Sequence, residues 1–499
     1  MLRYLMNDKN QPKLLAIAAV LLACIHNYLF YGNSPGISFP LFIIIFYSYV
    51  FAFTKQQLRL HSLPGWLLFA VIILLSMTFV LFNNPIFYAL NFLMIPALIF
   101  IHITFIGSDR KPDWWNFRLA IYTLDHLIPQ SFRHFPTAFR VLKTEANSTV
   151  KQEHKSVVYS MLIGLLIAIP LLIIVISLLA SADLVFGHFV MELPNWFVDI
   201  SFTEGIARFI WVFIWFLLLF GYVWGFIDTY RYRWNDGMPL EHRVPAKVTI
   251  DSIIMTTVLI CMNIVYLLFV VVQFTYLFSA WDGIIPEGTT LAEHARSGFF
   301  ELVFVTMINF VILIVVLVFE RKDRKVINKL NSIMLTLLVG CSSIMLYSGY
   351  IRLHLYEDAY GYTYIRFLVH GFMIYLAAML VIAGIRIWLK KISLVRWFIM
   401  ISLLAYVTVN YIGMDRMIAQ NNIERYEHDG KIDQNYLTDL STDAIPLIIN
   451  FSQAGVNMDE YLHNEYDRLH ESERNWTSFN YSRYRAERDL KAYFDKKDN

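Results

Sequence analysis

The run Leu171-Leu172-Ile173-Ile174-Val175-Ile176-Ser177-Leu178-Leu179-Ala180 is greasy on every side of a helix. With the residues before it, from 157, it forms a block long enough to cross a hydrocarbon core of about 30 Å as an α-helix. A strand of a transmembrane barrel would alternate apolar and polar positions over about ten residues, and this run does not. A helix satisfies every backbone N–H and C=O within its own segment, which the bilayer interior demands.

Similar blocks recur on both sides. They place eleven spans at 14–31, 37–54, 65–82, 86–106, 157–180, 206–228, 252–278, 298–319, 332–350, 364–389 and 396–412. The third and fourth are joined by the short turn Asn83-Asn84-Pro85, and the eleventh is short and carries Thr408 and Asn410. Composition agrees: 57% of the 499 residues are hydrophobic and only 16% are charged, against about 25% charged in an ordinary soluble protein. The expected fold class is therefore all-α, a polytopic transmembrane helical bundle over 1–412 followed by a short extracytoplasmic helical tail over 413–499.

Charge sets the expected orientation. With the N-terminus inside, the external loops and span ends hold only Arg208, Arg296, Arg352 and Arg366. All other lysines and arginines before the tail fall in cytoplasmic segments, as the positive-inside rule requires. Arg3, Lys9 and Lys13 precede the first apolar block without a small-residue cleavage site after it, so that block reads as an uncleaved signal-anchor. No lipidation motif is visible. Cys24, Cys261 and Cys341 all fall within spans and read as small packing residues, giving neither a disulfide framework nor a Cys-based metal site.

The cytoplasmic loop 107–156 interleaves Trp114, Trp115, Phe117, Tyr122, Phe132, Phe135 and Phe139 with Arg118, Arg133, Arg140 and Lys143. That pattern suits a segment lying in the membrane interface against anionic lipid, and the lipid bilayer is the expected partner rather than nucleic acid. In the tail, Asp439–Phe451 reads as an amphipathic helix with Leu440, Ile445, Leu447, Ile448 and Phe451 on its apolar face. Ser441 or Thr442 is its N-cap, Gly430 and Gly455 are helix breaks, and fraying is expected after Asp495.

Ionisable residues concentrate at the outer ends of spans eight to ten. Glu293, His294 and Arg296 precede the eighth span and Glu301 sits about one turn inside it. Arg352, His354, Glu357 and Asp358 lie between the ninth and tenth, and Arg366 and His370 open the tenth. A charge near hydrocarbon persists where it has a partner or lines a wet cavity. Glu301 needs a cation, which Arg296, Arg352 or Arg366 could supply. The cluster is either a polar pocket open to the outside or a set of ion pairs pinning helix ends. His354 and Glu357, three apart, could share a helix face and with His294 offer N and O ligands. No HExxH motif and no Cys ligand supports zinc, and no metal or other cofactor is expected.

Deeper in the spans, Asn91, His102, Asn263, Gln273, Asn309 and Asn410 can bond across helices. Gly221-Tyr222-Val223-Trp224-Gly225 is a GxxxG close-packing motif, and Gly164 with Ala168 is a weaker one. Pro96 and Pro170 interrupt backbone bonds inside the fourth and fifth spans. There is no GxxxxGK[ST] phosphate loop and no GxSxG nucleophile elbow, so no catalytic motif is recognisable.

Three stretches carry a resemblance: Gln273–Phe278 (QFTYLF), Glu293–Leu302 (EHARSGFFEL) and Arg352–Thr363 (RLHLYEDAYGYT). Ala180–Phe186 and the tail around Tyr436-Leu437 and Asp443–Pro446 add to it. Together they resemble a bacterial multi-span membrane family catalogued only as domain-of-unknown-function family 4173, related to family 4153. The resemblance covers the chain from about residue 150 onward. It implies a bacterial cytoplasmic-membrane protein with a multi-span core and an external helical tail, and it supplies no catalytic residue, cofactor or substrate. Three functions remain open: a small-solute or ion transporter or a sensory or accessory component, acting through the outer cluster; an integral-membrane enzyme acting on lipid or envelope precursors; and a scaffold whose tail binds a partner.

Overall fold

The computed structural model describes residues 11–54, 62–107, 114–141, 202–228, 249–281, 299–320, 324–471 and 475–497. Only the backbone is described for 202–203, 273–281 and 299–300. The described residues are helical, apart from turns and one isolated bridge between Ile250 and Glu320.

Ten of the expected spans appear as helices: α1 (Gln11–Phe30), α2 (Ser38–Thr54), α3 (Leu63–Leu81), α4 (Pro85–Gly107), α5 (Phe202–Ile227), α6 (Ser252–Trp281), α7 (Phe299–Phe319), α8 (Lys325–Tyr360), α9 (Tyr364–Trp388) and α10 (Leu394–Tyr411). The fifth expected span, with Pro170 and the Gly164 motif, lies outside the described residues. Among the described helices, nine are long and apolar enough to cross a membrane, and α2 is a shorter apolar helix. Large aliphatic side chains lie uncovered along α6, with Ile264, Val265, Leu268 and Val271 each more than 60% exposed. Water would penalise such a stripe by about 25 cal/mol per Å², whereas lipid does not. The chain is a multi-pass membrane protein.

The chain divides into two compact units, one comprising residues 1–69, 97–237 and 475–478 and the other 70–96, 238–474 and 479–499. In the first, α5 packs along α1 and α2. His26 is buried in an aromatic nest, stacked on Trp215 at 3.7 Å, and its Nδ1 accepts from Trp211 Nε1 at 3.1 Å. His102 meets the Tyr47 hydroxyl at 2.8 Å, an expected inter-helix bond. The GxxxG motif of α5 meets α2 and α4 through Tyr222, whose ring centroid lies 6.3 Å from that of Phe46 and 5.1 Å from that of Phe100. It faces the loop segment Arg118–Arg133, where a short helix runs into a π-turn at His126–Gln130. A Cβ on Gly221 would stand 2.5 Å from the Ser131 carbonyl oxygen, and one on Gly225 would stand 3.0 Å from His126 Cε1. The loop segment buries Leu119, Thr123, His126 and Gln130 and leaves Phe117, Ile121, Leu124, Ile128 and Phe132 exposed. That spacing puts the exposed apolar residues on one helical face.

In the second unit α8 is central, packed against α6, α7 and α9. Its interior pairs apolar residues such as Leu259, Leu313, Leu335 and Ala383 with inter-helix amide bonds. Asn309 Nδ2 donates to Ser342 Oγ at 2.9 Å and Asn263 Nδ2 to the Met334 carbonyl at 3.0 Å. Asn91 Nδ2 donates to Asn410 Oδ1 at 2.6 Å and to Thr78 Oγ1 at 2.9 Å, while the Tyr406 hydroxyl donates to Asn91 Oδ1. Of the polar span residues singled out in the sequence, only Gln273 falls where no side chain is described. Pro96 lies inside α4, which continues through it.

The tail forms α11 (Met414–Asp429), α12 (Gln434–Thr438), α13 (Ile445–Gln453), α14 (Asp459–Glu471) and α15 (Tyr481–Lys497). Ser441 caps a short turn over Thr442–Ala444, its hydroxyl accepting from the Asp443 N–H, and α13 follows. Gly430 and Gly455 take positive φ of 66° and 105°, as breaks do. The last helix runs beyond the expected fraying point, to Lys497, whose ammonium bonds Asp459. Leu437, Leu440, Ile445, Ile448, Phe451, Leu462 and Leu490 form a single apolar core that includes Phe87 from α4. Apart from 475–478, the tail thus groups with residues 70–96 and 238–412.

Candidate functional site

Helix α8 has 36 residues and is about 54 Å long at 1.5 Å per residue, well beyond the hydrocarbon thickness of about 30 Å. It continues past the expected end at 350 to Tyr360. Arg352, His354, Glu357 and Asp358 therefore lie on overhanging turns, where water and protein can replace lipid around their charges.

The structure separates residues that the sequence grouped. His354 and Glu357 do not share a partner. His354 is exposed, with Nε2 3.8 Å from Asp358 Oδ2. Glu357 is fully buried, with Oε2 2.9 Å from His370 Nδ1 on α9. His370 also packs on Tyr350, ring centroids 4.4 Å apart. The 2.9 Å contact lacks hydrogen-bond direction, and neither Glu357 oxygen nor His370 Nε2 has a hydrogen-bond partner among the described residues. The Tyr362 phenol is pushed above its usual range, first by burial and then by the neighbouring carboxylates of Asp358 and Glu357.

Glu301 opens α7 and lies within Coulombic reach of Arg352, which supplies the cation that the carboxylate needed. Arg366 is engaged elsewhere. Its guanidinium lies 4.2 Å from the centroid of the Tyr356 ring and donates to the Gly361 carbonyl. Glu293, His294 and Arg296 lie outside the described residues.

Sequence reading missed the clamp that closes this cluster. The Gly361-Tyr362 turn is held by α11 of the tail. Asn422 accepts from the Tyr362 N–H at 2.8 Å and donates to the Tyr362 carbonyl at 2.9 Å. Arg425 donates to the Ala359 carbonyl at 2.9 Å and to the Lys431 carbonyl at 3.0 Å. Gly361 has φ of 85°, and a Cβ there would stand 2.7 Å from Asn422 Oδ1, so both conformation and space require glycine. Below the clamp, buried Asp415 accepts from Asn84 Nδ2, from the Ser441 N–H and from the Tyr364 hydroxyl. Polar residues in an acidic, tyrosine-rich tail gave no periodic signal pointing to these partners.

Chemically, the site offers a buried carboxylate beside a partly buried imidazole, an exposed acid facing a partly buried guanidinium, and a lid of backbone-directed bonds. No curated protein and no solved structure matches the chain. Residues 69–451, more than half of the chain, match the model of a family described as a domain of unknown function, DUF4153. This match takes in all three stretches that carried the resemblance, including Arg352–Thr363 under its clamp, and it is to family 4153 rather than 4173. The chain belongs to the DUF4153 family of uncharacterised proteins.

Proposed function

We propose that this is a membrane transport or sensory protein of the bacterial cytoplasmic membrane, N-terminus inside and tail outside. Its outward polar cluster comprises Glu293, His294, Arg296, Glu301, Arg352, His354, Glu357 and Arg366. Within it, the Glu357–His370 pair is the responsive element, rearranging when a small solute, an ion or a proton enters.

The observation that carries this reading is the burial of Glu357 against His370 with its hydrogen-bonding capacity unfilled by described residues. A carboxylate held this way costs free energy, and such groups concentrate at switches and relays. A pin between helix ends gains nothing from leaving its polar atoms unbonded. The enzyme reading draws on the same 2.9 Å contact, which is within reach for general acid–base work. Complete burial of Glu357 keeps a lipid or envelope substrate from touching it, and so favours the transport or sensory role. The scaffold reading is weakened by the burial of the tail's aliphatic residues, such as Leu437, Ile448 and Leu462, in its core.

The test is Glu357→Gln, which keeps shape and removes charge. The variant should reach wild-type levels in the membrane and melt normally in detergent, yet lose the solute- or stress-dependent growth phenotype of a deletion strain. Full complementation by this variant, or its failure to accumulate, would make the pair structural and end the proposal.

A further inference from the structure

The second unit contains a cavity of about 210 Å³ beside the end of α3, bounded by the tail. Its wall is divided by chemistry. Leu81, Phe82 and Pro446 give an apolar side, and Arg416, Arg485 and Asp443 give a charged one. Leu81 is the last residue of α3, and Gly413 on the rim follows closely on the end of α10 at Tyr411. The apolar side therefore stands at the level where two spans leave the hydrocarbon, with the guanidiniums beyond it toward the headgroups.

The charges favour an anion. No described carboxylate lies within ion-pair distance of exposed Arg416. Arg485, itself well exposed, meets half-buried Asp489 four residues on at 3.5 Å, and that carboxylate is shared with Arg488 at 2.9 Å, so the pair is worth little. Asp443 is already occupied, its Oδ2 accepting from the Asn83 N–H at 3.0 Å and from Ser441 Oγ at 3.3 Å. On the wall Tyr481 is exposed, an amphipathic aromatic of the kind that settles at headgroup depth.

We propose that this cavity binds the phosphate-bearing headgroup of a membrane lipid. Arg416 and Arg485 take the phosphate oxygens, and Leu81 and Phe82 take the first methylenes of the acyl chains. Guanidinium groups suit phosphate because their planar forks match its oxygens. Basic pockets at span ends are where lipid headgroups are recognised. The site is separate from the Glu357–His370 pair and does not depend on that pair's role.

The experiment uses the full-length protein in detergent, titrated with short-chain phosphatidylglycerol and read by native mass spectrometry. Inorganic phosphate is titrated in a parallel arm. Wild-type protein should retain the lipid, and Arg416→Gln with Arg485→Gln should weaken it about tenfold or more. Arg416→Lys, which keeps the charge, should fall between, and Glu357→Gln should bind as wild type. The core residues of the tail include neither arginine, so melting temperatures should stay unchanged; were the double variant to melt early, Arg416→Lys against wild type gives the reading. Arginine-dependent binding of inorganic phosphate as tight as that of the lipid would keep the oxyanion site and assign it to a soluble ligand. Undiminished lipid binding by the double variant, or no binding of either ligand by the wild type, would overturn the proposal.

Discussion

Asn84 Nδ2 donates to Asp415 Oδ2 across 2.6 Å, joining two residues 331 positions apart in the chain. Asn84 belongs to the turn between α3 and α4, and Asp415 to the first turn of the tail. The same carboxylate accepts the Ser441 N–H at 2.9 Å and the Tyr364 hydroxyl. One side chain thus ties a span-connecting turn, the start of α9 and two parts of the tail.

Asp415→Ala should strand these donors in a buried site. At about 1–3 kcal/mol for each unsatisfied group, the loss should be large enough to release the tail. Limited proteolysis of purified protein should then cut between α11 and α13, sites protected in the wild type. Asp415→Asn, which keeps one acceptor oxygen, should be milder. Equal protection in Asp415→Ala and wild type would show that the network carries little of the tail's attachment.

Asp443 makes the tail's stability depend on pH. Burial raises its carboxyl above the ordinary value, opposed by bonds from Ser482, Asn83 and Ser441, while Asp415 adds to the rise. A raised folded-state pKa means that the folded protein holds the proton more tightly than the unfolded chain. The resulting stability is fully present below the ordinary carboxylate pKa and is lost as pH rises through the raised one. Melting followed from pH 3.5 to 7 should show this trend relative to Asp443→Asn, in which that slope is absent. Identical pH profiles for the two proteins would count against it.

Gly221 and Gly225 should respond differently to substitution. A Cβ on Gly221 would stand 2.5 Å from the Ser131 carbonyl oxygen, a backbone atom that cannot turn aside, whereas one on Gly225 would stand 3.0 Å from the His126 ring, where a small shift relieves the contact. Gly221→Leu should dislodge the Arg118–Arg133 segment and speed tryptic cleavage at Arg133 and Arg140. Gly225→Ala should leave cleavage near the wild-type rate. Unchanged protection in Gly221→Leu would refute the packing role.

Orientation is open to direct labelling. Glu424→Cys places a thiol on an exposed position of α11, in a background lacking Cys24, Cys261 and Cys341. A membrane-impermeant maleimide should label it in intact cells with the outer membrane opened. Labelling only after lysis would place the tail in the cytosol and reverse the positive-inside assignment.

The helices were legible because a bilayer makes a local demand. Each segment must close its own backbone hydrogen bonds and show lipid an apolar surface, so length and greasiness alone located Gln11–Phe30, Ser252–Trp281 and their counterparts. Even the weak division at Asn83-Asn84-Pro85 was readable, since proline opens α4 as it opens other helices. The grouping of Arg352, His354, Glu357 and Asp358 on the end of α8 was legible as a concentration of charge, and its wiring was not. Glu357 turned from its sequence neighbour His354 to His370 on the next helix, and Arg366 left Glu301 to Arg352. Which of several nearby cations a carboxylate meets depends on helix rotation and crossing, which periodicity does not encode. The clamp of Asn422 and Arg425 on Gly361-Tyr362 lay further out of reach. Its bonds go to backbone atoms, and any residue supplies those. Sequence alone set which segments enter the bilayer, because that choice is made residue by residue against the solvent. Tertiary structure decided which polar groups meet, because a hydrogen bond is chosen by position in space.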